Sequence, residues 1–175
     1  MQYTNEYQSP VGGITMASDG TGLTGLWFDG QKYFGSNLSP EHERKELPVF
    51  DETKRWLDLY FGGQNPGFTP LLSLKASPFR MDVWKILRQI PYGKVMTYGE
   101  IAARIAGPKG IPTMSAQAVG GAVGHNPISL IIPCHRVVGT NGSLTGYAGG
   151  IEKKIRLLQL EKVDMTGLFM PKERK

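Results

Sequence analysis

The spacing of apolar residues changes between residues 66 and 76, and this change constrains the fold more than any other feature of the chain. Before it, the β-prone runs YTNEYQ, GITMAS and LTGLWFD alternate with the turn-forming segments SPVGG and SDGTG. After it, apolar residues recur at helical spacing between loops that contain Gly and Pro. We therefore predict an α+β protein with a β-rich domain over residues 1–72, a helical domain over residues 77–162 and a basic tail over residues 163–175.

The β-prone runs of the first part predict antiparallel hairpins, followed by one helix. That helix is predicted within LPVFDETKRWLDLYFGG, because Phe50, Leu57 and Tyr60 recur at helical spacing. The glycine pair at its end is a good helix stop. The first part is therefore expected to be a small sheet with a helix beside it.

Capping residues mark the helix starts of the second part. Ser77 precedes Pro78 at the start of PFRMDVWKILRQI, and Thr97 with Glu100 has the form of a capping box. Ser115 can cap AQAVGGAVGHN, so that two short helices across a long turn predict a helix-turn-helix. An amphipathic helix, IEKKIRLLQLE, is predicted to close the domain before a loose tail.

Charge is distributed unevenly along the chain. Residues 1–75 carry 6 Lys and Arg against 9 Asp and Glu, whereas residues 76–175 carry 14 against 6. A basic half joined to an acidic half favours a polyanionic partner for the second part. The alternative is an ordinary solvated helix and tail, since KKIR and KERK supply six of the positive charges.

Composition excludes several classes of protein. One cysteine cannot form an intramolecular disulfide and is too few for a cysteine-rich zinc site. The N-terminal residues lack the pattern of a signal peptide, and no apolar segment approaches the roughly 18 residues of a membrane span. We therefore expect a cytoplasmic protein that needs no metal or cofactor and contacts no membrane.

The predicted helix AQAVGGAVG is unusual for its small side chains. Gly120, Gly121 and Gly124 each lower helix stability by about 1 kcal/mol relative to Ala. Such a helix lets another backbone approach closely, either a core element of the protein itself or the edge of a DNA minor groove. Because Gln117 is the one base-reading side chain on it, sequence-specific recognition in the major groove is disfavoured.

Cys134, the only cysteine, also has two interpretations. A buried cysteine is commonly an inert apolar residue. Here Pro133 suits a strand that ends at a pocket, and His135 and Arg136 add positive charge that favours a thiolate. LIIPCHRVV is predicted to be extended, so that Cys134 and His135 point to opposite faces and the base acts through a water.

A cysteine peptidase is disfavoured, because its cysteine and histidine come together from distant positions. The remaining histidines are His42, in the acidic run SPEHERKE, and His125, and both are expected at the surface.

Residues 77–161 resemble the O6-alkylguanine-DNA alkyltransferases, the methylated-DNA–protein-cysteine methyltransferase family. The resemblance rests on NPISLIIPCHRVVG, GYAGG, PYGKVMTYGEIA and AVGGAVGHNP, while residues 1–72 are similar in layout only. It implies a ribonuclease H-like first domain with a three-stranded antiparallel sheet beside a helix. It also implies a winged-helix-like second domain that binds double-stranded DNA as a monomer in the minor groove, without sequence preference.

The resemblance implies a repair reaction in which O6-alkylguanine, and also O4-alkylthymine, is flipped out of the duplex. The alkyl group passes irreversibly to Cys134, so that each molecule acts once. His135 matches the base that acts through a water, and Glu161 the carboxylate that orients it. Asn126 matches the residue that braces the turn, and Tyr98 the tyrosine that crowds the target phosphate and donates to guanine N3.

Further positions match the DNA-binding and pocket residues of the family. Arg136 matches a structural arginine, the carbonyls of Cys134 and Val137 match acceptors for the guanine amine, and Tyr147 and the backbone of Ala148 match the pocket flap. Those on the small-residue helix are Gln117, Ala118 and Gly120. Gln117 replaces the arginine that many members use to fill the gap left by the flipped base. This replacement affects the efficiency of base flipping and not the transfer chemistry.

Two alternatives stay open at this level. Relatives that lack the cysteine bind alkylated bases and recruit other repair factors, and the presence of Cys134 argues against that role. A helix-turn-helix regulator is disfavoured by the absence of base-reading side chains on the small-residue helix.

Overall fold

The computed structural model describes residues 1–111 and 114–171, and the chain forms two compact units. The first comprises residues 1–75 and 127–131, and the second comprises residues 76–126 and 132–175. The short segment 127–131 therefore belongs to the first unit, although the sequence pattern assigned it to the helical part.

The first unit contains a four-stranded sheet with the order β3-β2-β1-β4. The strands are β1 (Gln2–Ser9), β2 (Gly12–Ser18), β3 (Leu23–Phe28) and β4 (His42–Arg44). The three β-prone runs form β1 to β3 in antiparallel pairs, as expected. The prediction of three strands missed a fourth, β4, which pairs in parallel with β1. The sequence did not predict β4, because its exposed residues His42–Arg44 have low β-propensity.

The helix predicted for the first part is confirmed as α1 (Pro48–Phe61). It buries the predicted residues Phe50, Leu57 and Tyr60, together with Trp56. The segment 127–131 lies beside β3 in the same unit, where the Leu26 amide donates to the Pro127 carbonyl at 2.8 Å.

The second unit contains four helices and a two-stranded parallel sheet among its described residues. In chain order the elements are α2 (Pro78–Leu87), β5 (Met96–Thr97), α3 (Tyr98–Ala106), α4 (Ala116–Gly124), β6 (Val137–Val138) and α5 (Ile151–Leu160). All three predicted caps are present: the hydroxyls of Ser77, Thr97 and Ser115 accept from backbone amides at 3.3, 3.1 and 3.2 Å. Such caps are local, which is why the sequence predicts them well.

The helices α3 and α4 form the predicted helix-turn-helix, and α2 packs against both. The indole nitrogen of Trp84 on α2 donates to the Ala122 carbonyl on α4 at 2.8 Å. Within the loop GPKGIPTM, residues 112–113 lie outside the described part of the chain.

The segment after α5 differs from the loose tail that the sequence predicts. Val163 packs with Val138, Leu144 and Leu158 in a small apolar cluster. The Leu144 amide also donates to the Phe169 carbonyl at 2.8 Å. The chain is thus packed as far as Phe169, and residues 172–175 lie outside the described part. No helix in the described residues is long and apolar enough to cross a membrane.

Candidate active site

Cys134 lies at the start of a tight turn instead of in the predicted extended run. Pro133 has φ −82° and ψ 66°, and the Cys134 amide donates to the Ile132 carbonyl at 2.8 Å. These values describe an inverse γ-turn, which the fixed φ of proline favours. One turn of 3-10 helix, Cys134–Arg136, follows directly. The argument from alternating strand faces therefore does not apply to Cys134 and His135.

Asn126 braces this turn from the end of α4. Its side-chain amide donates to the Ile132 carbonyl at 2.7 Å. Its side chain also forms a hydrogen bond with Cys134 that lowers the pKa of the thiol. Asn126 thereby fixes both the backbone before the cysteine and the cysteine itself.

A fully buried carboxylate joins the next two residues of the turn. His135 Nε2 lies 2.5 Å from Glu161 Oε2, and Arg136 Nε donates to Glu161 Oε1 at 2.8 Å. The Gly93 amide donates to the same oxygen at 3.0 Å. Arg136 also donates to the Ile90 carbonyl at 2.8 Å, which ties the turn to the segment that follows α2.

The charges of this cluster follow from its burial and hydrogen bonds. Burial alone raises the pKa of Glu161, but its hydrogen bonds with His135 and Arg136 and the charge of Arg136 outweigh burial and lower this pKa from 4.5 to about 2. Burial lowers the pKa of His135 below its ordinary value. A neutral imidazole that donates from Nε2 to a carboxylate carries its basic lone pair on Nδ1. His135 is therefore set up as a base.

The thiol of Cys134 is buried and protonated at neutral pH. Burial raises its pKa, while the bond to Asn126 and the charge of Lys154 lower it in part. The expectation that His135 and Arg136 supply the positive charge is wrong, because Glu161 holds both of them. The cation that acts on the thiol is Lys154 on α5, which the sequence pattern had assigned to a solvated face.

Two tyrosines lie near the cysteine. Burial and the nearby Cys134 raise the pKa of Tyr98 to about 12 and that of Tyr147 well above its ordinary value. The ring of Tyr147 packs edge-on against His135, with centroids 6.4 Å apart. Both phenols are therefore neutral. The backbone segment Thr145–Ala148, hereafter the flap, carries Tyr147 and half-buried Ala148.

Gly146 in the flap is in close contact with Tyr98. Its φ is +85°, and a Cβ placed on it would lie 2.6 Å from the Tyr98 hydroxyl. Gly150 has a similar φ of +95°, with no heavy atom of the described chain within 4 Å of such a Cβ. The positive φ favours glycine at both positions, but only at Gly146 would a side chain also collide with Tyr98.

We expect Gly150→Ala to lower the free energy of unfolding by about 1–2 kcal/mol, because it introduces backbone strain alone. Gly146→Ala should lower it by more, because it adds a steric clash to the same strain. Removing the hydroxyl in the double variant Gly146→Ala with Tyr98→Phe should bring its stability loss closer to that of Gly150→Ala. The ring carbon that carries the hydroxyl lies 3.6 Å from the Cβ placed on Gly146, which is an ordinary contact distance. Denaturant unfolding measures all three. Equal losses for the two single variants would contradict the contact.

The helix α4 carries the remaining predicted residues. Gln117 and Ala118 are exposed, and Gly120 is half-buried. A Cβ placed on Gly120, Gly121 or Gly124 meets no heavy atom of the described chain within 4 Å. This excludes a described core element as the reason for the small residues.

The turn, α3, the flap and the end of α5 bring together six of the residues named from the family resemblance: Cys134, His135, Arg136, Glu161, Tyr98 and Tyr147. Sequence reasoning missed Lys154, although its place between Ile151 and Leu158 on the apolar face of α5 was a signal. No group of three or more His, Cys, Asp and Glu side chains in the described residues is placed to hold a metal ion.

The second unit is a helix-turn-helix domain, the fold class of many DNA-binding proteins, with a buried cysteine braced by Asn126. Two family models match the chain: the ribonuclease-like domain of 6-O-methylguanine DNA methyltransferase over residues 3–74, and its DNA-binding domain over residues 78–163. The chain therefore belongs to the 6-O-methylguanine DNA methyltransferase family.

Individual proteins agree with these matches. A methylated-DNA–protein-cysteine methyltransferase from Haemophilus influenzae is 44% identical over 92% of this chain and 87% of its own length. The crystal structure of the Mycobacterium tuberculosis O6-methylguanine methyltransferase superposes with a TM-score of 0.79 at 42% identity, covering 93% of each chain. A structure of the OGT of that organism in complex with DNA gives 0.78 at 41% identity, covering 91% of this chain and 92% of that one.

Proposed function

We propose that this protein repairs DNA by direct reversal: it transfers the alkyl group of O6-alkylguanine to Cys134 and keeps it as a thioether. The observation that carries the proposal is the braced Cys134 beside a histidine held by Glu161, within a helix-turn-helix unit. The proposal is supported by the family and by its relatives' activity as methylated-DNA–protein-cysteine methyltransferases.

The reaction needs a thiolate, and His135 supplies the base. Its Nδ1 takes the Cys134 proton through a bridging water, while Glu161 holds the ring in the required tautomer. Arg136 keeps Glu161 ionised and has no direct part in the chemistry. The chain thus contains the base, the residue that orients it and the cation that keeps that residue charged.

In the transfer step the sulfur–carbon bond forms as the carbon–O6 bond breaks. The electron pair of the broken bond passes to guanine, and Tyr98, a neutral phenol, offers a proton at ring N3. The carbonyls of Cys134 and Val137 accept from the exocyclic amine, and Tyr147 and Ala148 of the flap line the alkyl pocket. Because a thioether is not readily hydrolysed, each molecule acts once.

The α4 helix is the DNA-binding element of this proposal. Its exposed Gln117 and Ala118 and the open space at Gly120 suit a minor groove that admits no large side chain. A monomer binds the duplex without sequence preference and with strong salt dependence, because phosphate contacts dominate. Gln117 fills the gap that the flipped base leaves in the stack.

We expect Gly120→Ala to stabilise the protein and to weaken its binding to DNA. Alanine gains about 0.5–1 kcal/mol of helix stability, and the added methyl meets no described atom. The same methyl enters the space that the groove edge requires. Thermal unfolding and fluorescence anisotropy with a labelled duplex measure the two effects, and unchanged affinity would contradict the placement of α4.

Intact-protein mass after reaction with a duplex that contains one O6-methylguanine tests the function directly. The expected result is a gain of one methylene, confined to the Cys134 peptide and limited to one per molecule. Retained binding without any mass gain would instead indicate a sensor of alkylated DNA. A gain on another residue would contradict the assigned nucleophile.

A further inference from the structure

Lys154 is a charged side chain buried in the second unit. The residue is 0% exposed, although neighbours on the same helix such as Glu152 and Arg156 are exposed. Burying an ammonium group is unfavourable unless strong partners compensate. An apolar residue would fill this position on the apolar face of α5, so the charge calls for an explanation.

The partners of Lys154 are two backbone carbonyls from the two segments beside Cys134. Its ammonium donates to the carbonyl of Val137, and to that of Thr145 at 2.9 Å. Val137 ends the turn of the nucleophile, since its amide donates to the Cys134 carbonyl. Thr145 begins the flap. One buried side chain thus links the turn of Cys134 to the flap.

The charge of Lys154 also reaches the reacting groups. The titratable groups around Cys134 are His135 on the turn, Tyr98 on α3, Tyr147 on the flap and Lys154 on α5. Both tyrosines are neutral, and burial lowers the pKa of His135, so that it is neutral as well. Burial lowers the pKa of Lys154 to about 8 and the charge of Cys134 opposes that shift, so the ammonium is charged at neutral pH.

We propose that Lys154 is a positioning residue for alkyl transfer, which holds the flap against the turn of Cys134 and stabilises the thiolate from which the attack starts. The inference rests on the proposed function. It assigns the electrostatic stabilisation to a residue 20 positions after the cysteine, in place of its neighbours in sequence. It also implies that one carbonyl, that of Val137, is oriented by Lys154 for contact with the guanine amine.

The thiolate can be tested without DNA, because Cys134 is the only cysteine of the chain. The rate of iodoacetamide labelling, measured against pH, follows the thiolate fraction of this one side chain. We expect Lys154→Met to slow labelling near neutral pH, where the ammonium is charged, by about tenfold, which corresponds to one pKa unit. Lys154→Arg keeps the charge and should restore most of the rate.

Lys153→Met is the matched control. It removes the same charge from the next position of α5, where the side chain is only half-buried, and should leave the labelling profile unchanged. Single-turnover methyl transfer, measured with DNA in excess, should fall in Lys154→Met and not in the control. A wild-type labelling profile in Lys154→Met would overturn the proposal.

Two further results separate the possible failures. If Lys154→Met does not fold, Lys154→Gln retains hydrogen-bond donors without the charge. It should show the same slow labelling near neutral pH, and a wild-type rate there would overturn the thiolate role. Absence of methyl transfer by the wild-type protein would instead contradict the proposed function, whereas the labelling profile would still report on Lys154.

Discussion

Cys134→Ala is expected to abolish alkyl transfer to the protein while it leaves binding to lesion-containing DNA intact. The chain has no second thiol, and the surrounding tyrosines are neutral phenols, so no other side chain at the site matches the nucleophilicity of the cysteine thiolate. The exposed face of α4, which carries the proposed DNA contacts, is not altered by the substitution. Transfer and binding should therefore separate in this variant.

The experiment needs a check on folding, because Cys134 is buried. Removing one sulfur atom from a packed turn lowers the free energy of unfolding by about 1 kcal/mol, which leaves the fold intact. Cys134→Ser serves as the closest match in size, since its hydroxyl keeps the hydrogen bond with Asn126 but is a weak nucleophile at neutral pH. Transfer by either variant at the wild-type rate would refute the assignment of the nucleophile.

Helix starts could be predicted from the sequence, and the proposed nucleophile could be singled out there, because the determinants of both are local. Ser77, Thr97 and Ser115 each cap a helix through a bond to an amide three residues ahead. Cys134 and its flanks form a contiguous motif. In these cases the chain contains, within a few residues, everything that decides the structure.

The conformation of the turn was missed for a different reason. LIIPCHRVV has the composition of a strand, and strand propensity predicts an extended run. The γ-turn at Pro133 and the bond from Asn126 override that propensity, and the bond joins residues six positions apart across the turn. Tertiary contacts of this kind leave no mark in a local pattern.

Lys154 and β4 also depend on distant partners. Lys154 is held by carbonyls 9 and 17 positions away, so its place on the apolar face of α5 does not by itself reveal what compensates its charge. The strand His42–Arg44 exists because β1 offers it a free edge, and its own residues do not favour a strand. The packing of the segment up to Phe169 depends likewise on the loop at Gly142.

Removing the carboxylate of Glu161 is expected to have the largest effect on stability. Glu161→Gln deprives the Arg136 guanidinium of its charged partner inside the protein and places an amide among three donors. Breaking a buried pair from one side lowers the free energy of unfolding by about 3–5 kcal/mol. Glu152→Gln, at an exposed position of α5, removes the same charge and should change stability little.

The pH dependence identifies the cause of that loss. The folded-state pKa of Glu161, about 2, lies below its ordinary 4.5, so its contribution is complete above pH 4.5 and is lost as the pH falls through about 2. A shift of this size corresponds to about 3 kcal/mol. The difference between wild type and Glu161→Gln should therefore be widest at neutral pH and narrow across this acid range, as measured by urea unfolding at a series of pH values.

The same variant links stability to chemistry. Without the carboxylate, nothing holds the His135 proton on Nε2, and the neutral ring can present an N–H toward the thiol instead of a lone pair. Methyl transfer should then fall even in the fraction of molecules that remain folded, whereas binding to DNA through α4 should persist. A variant that is destabilised as expected yet transfers at the wild-type rate would show that Glu161 serves the fold alone, and the tautomer of His135 would then have to be fixed by another group.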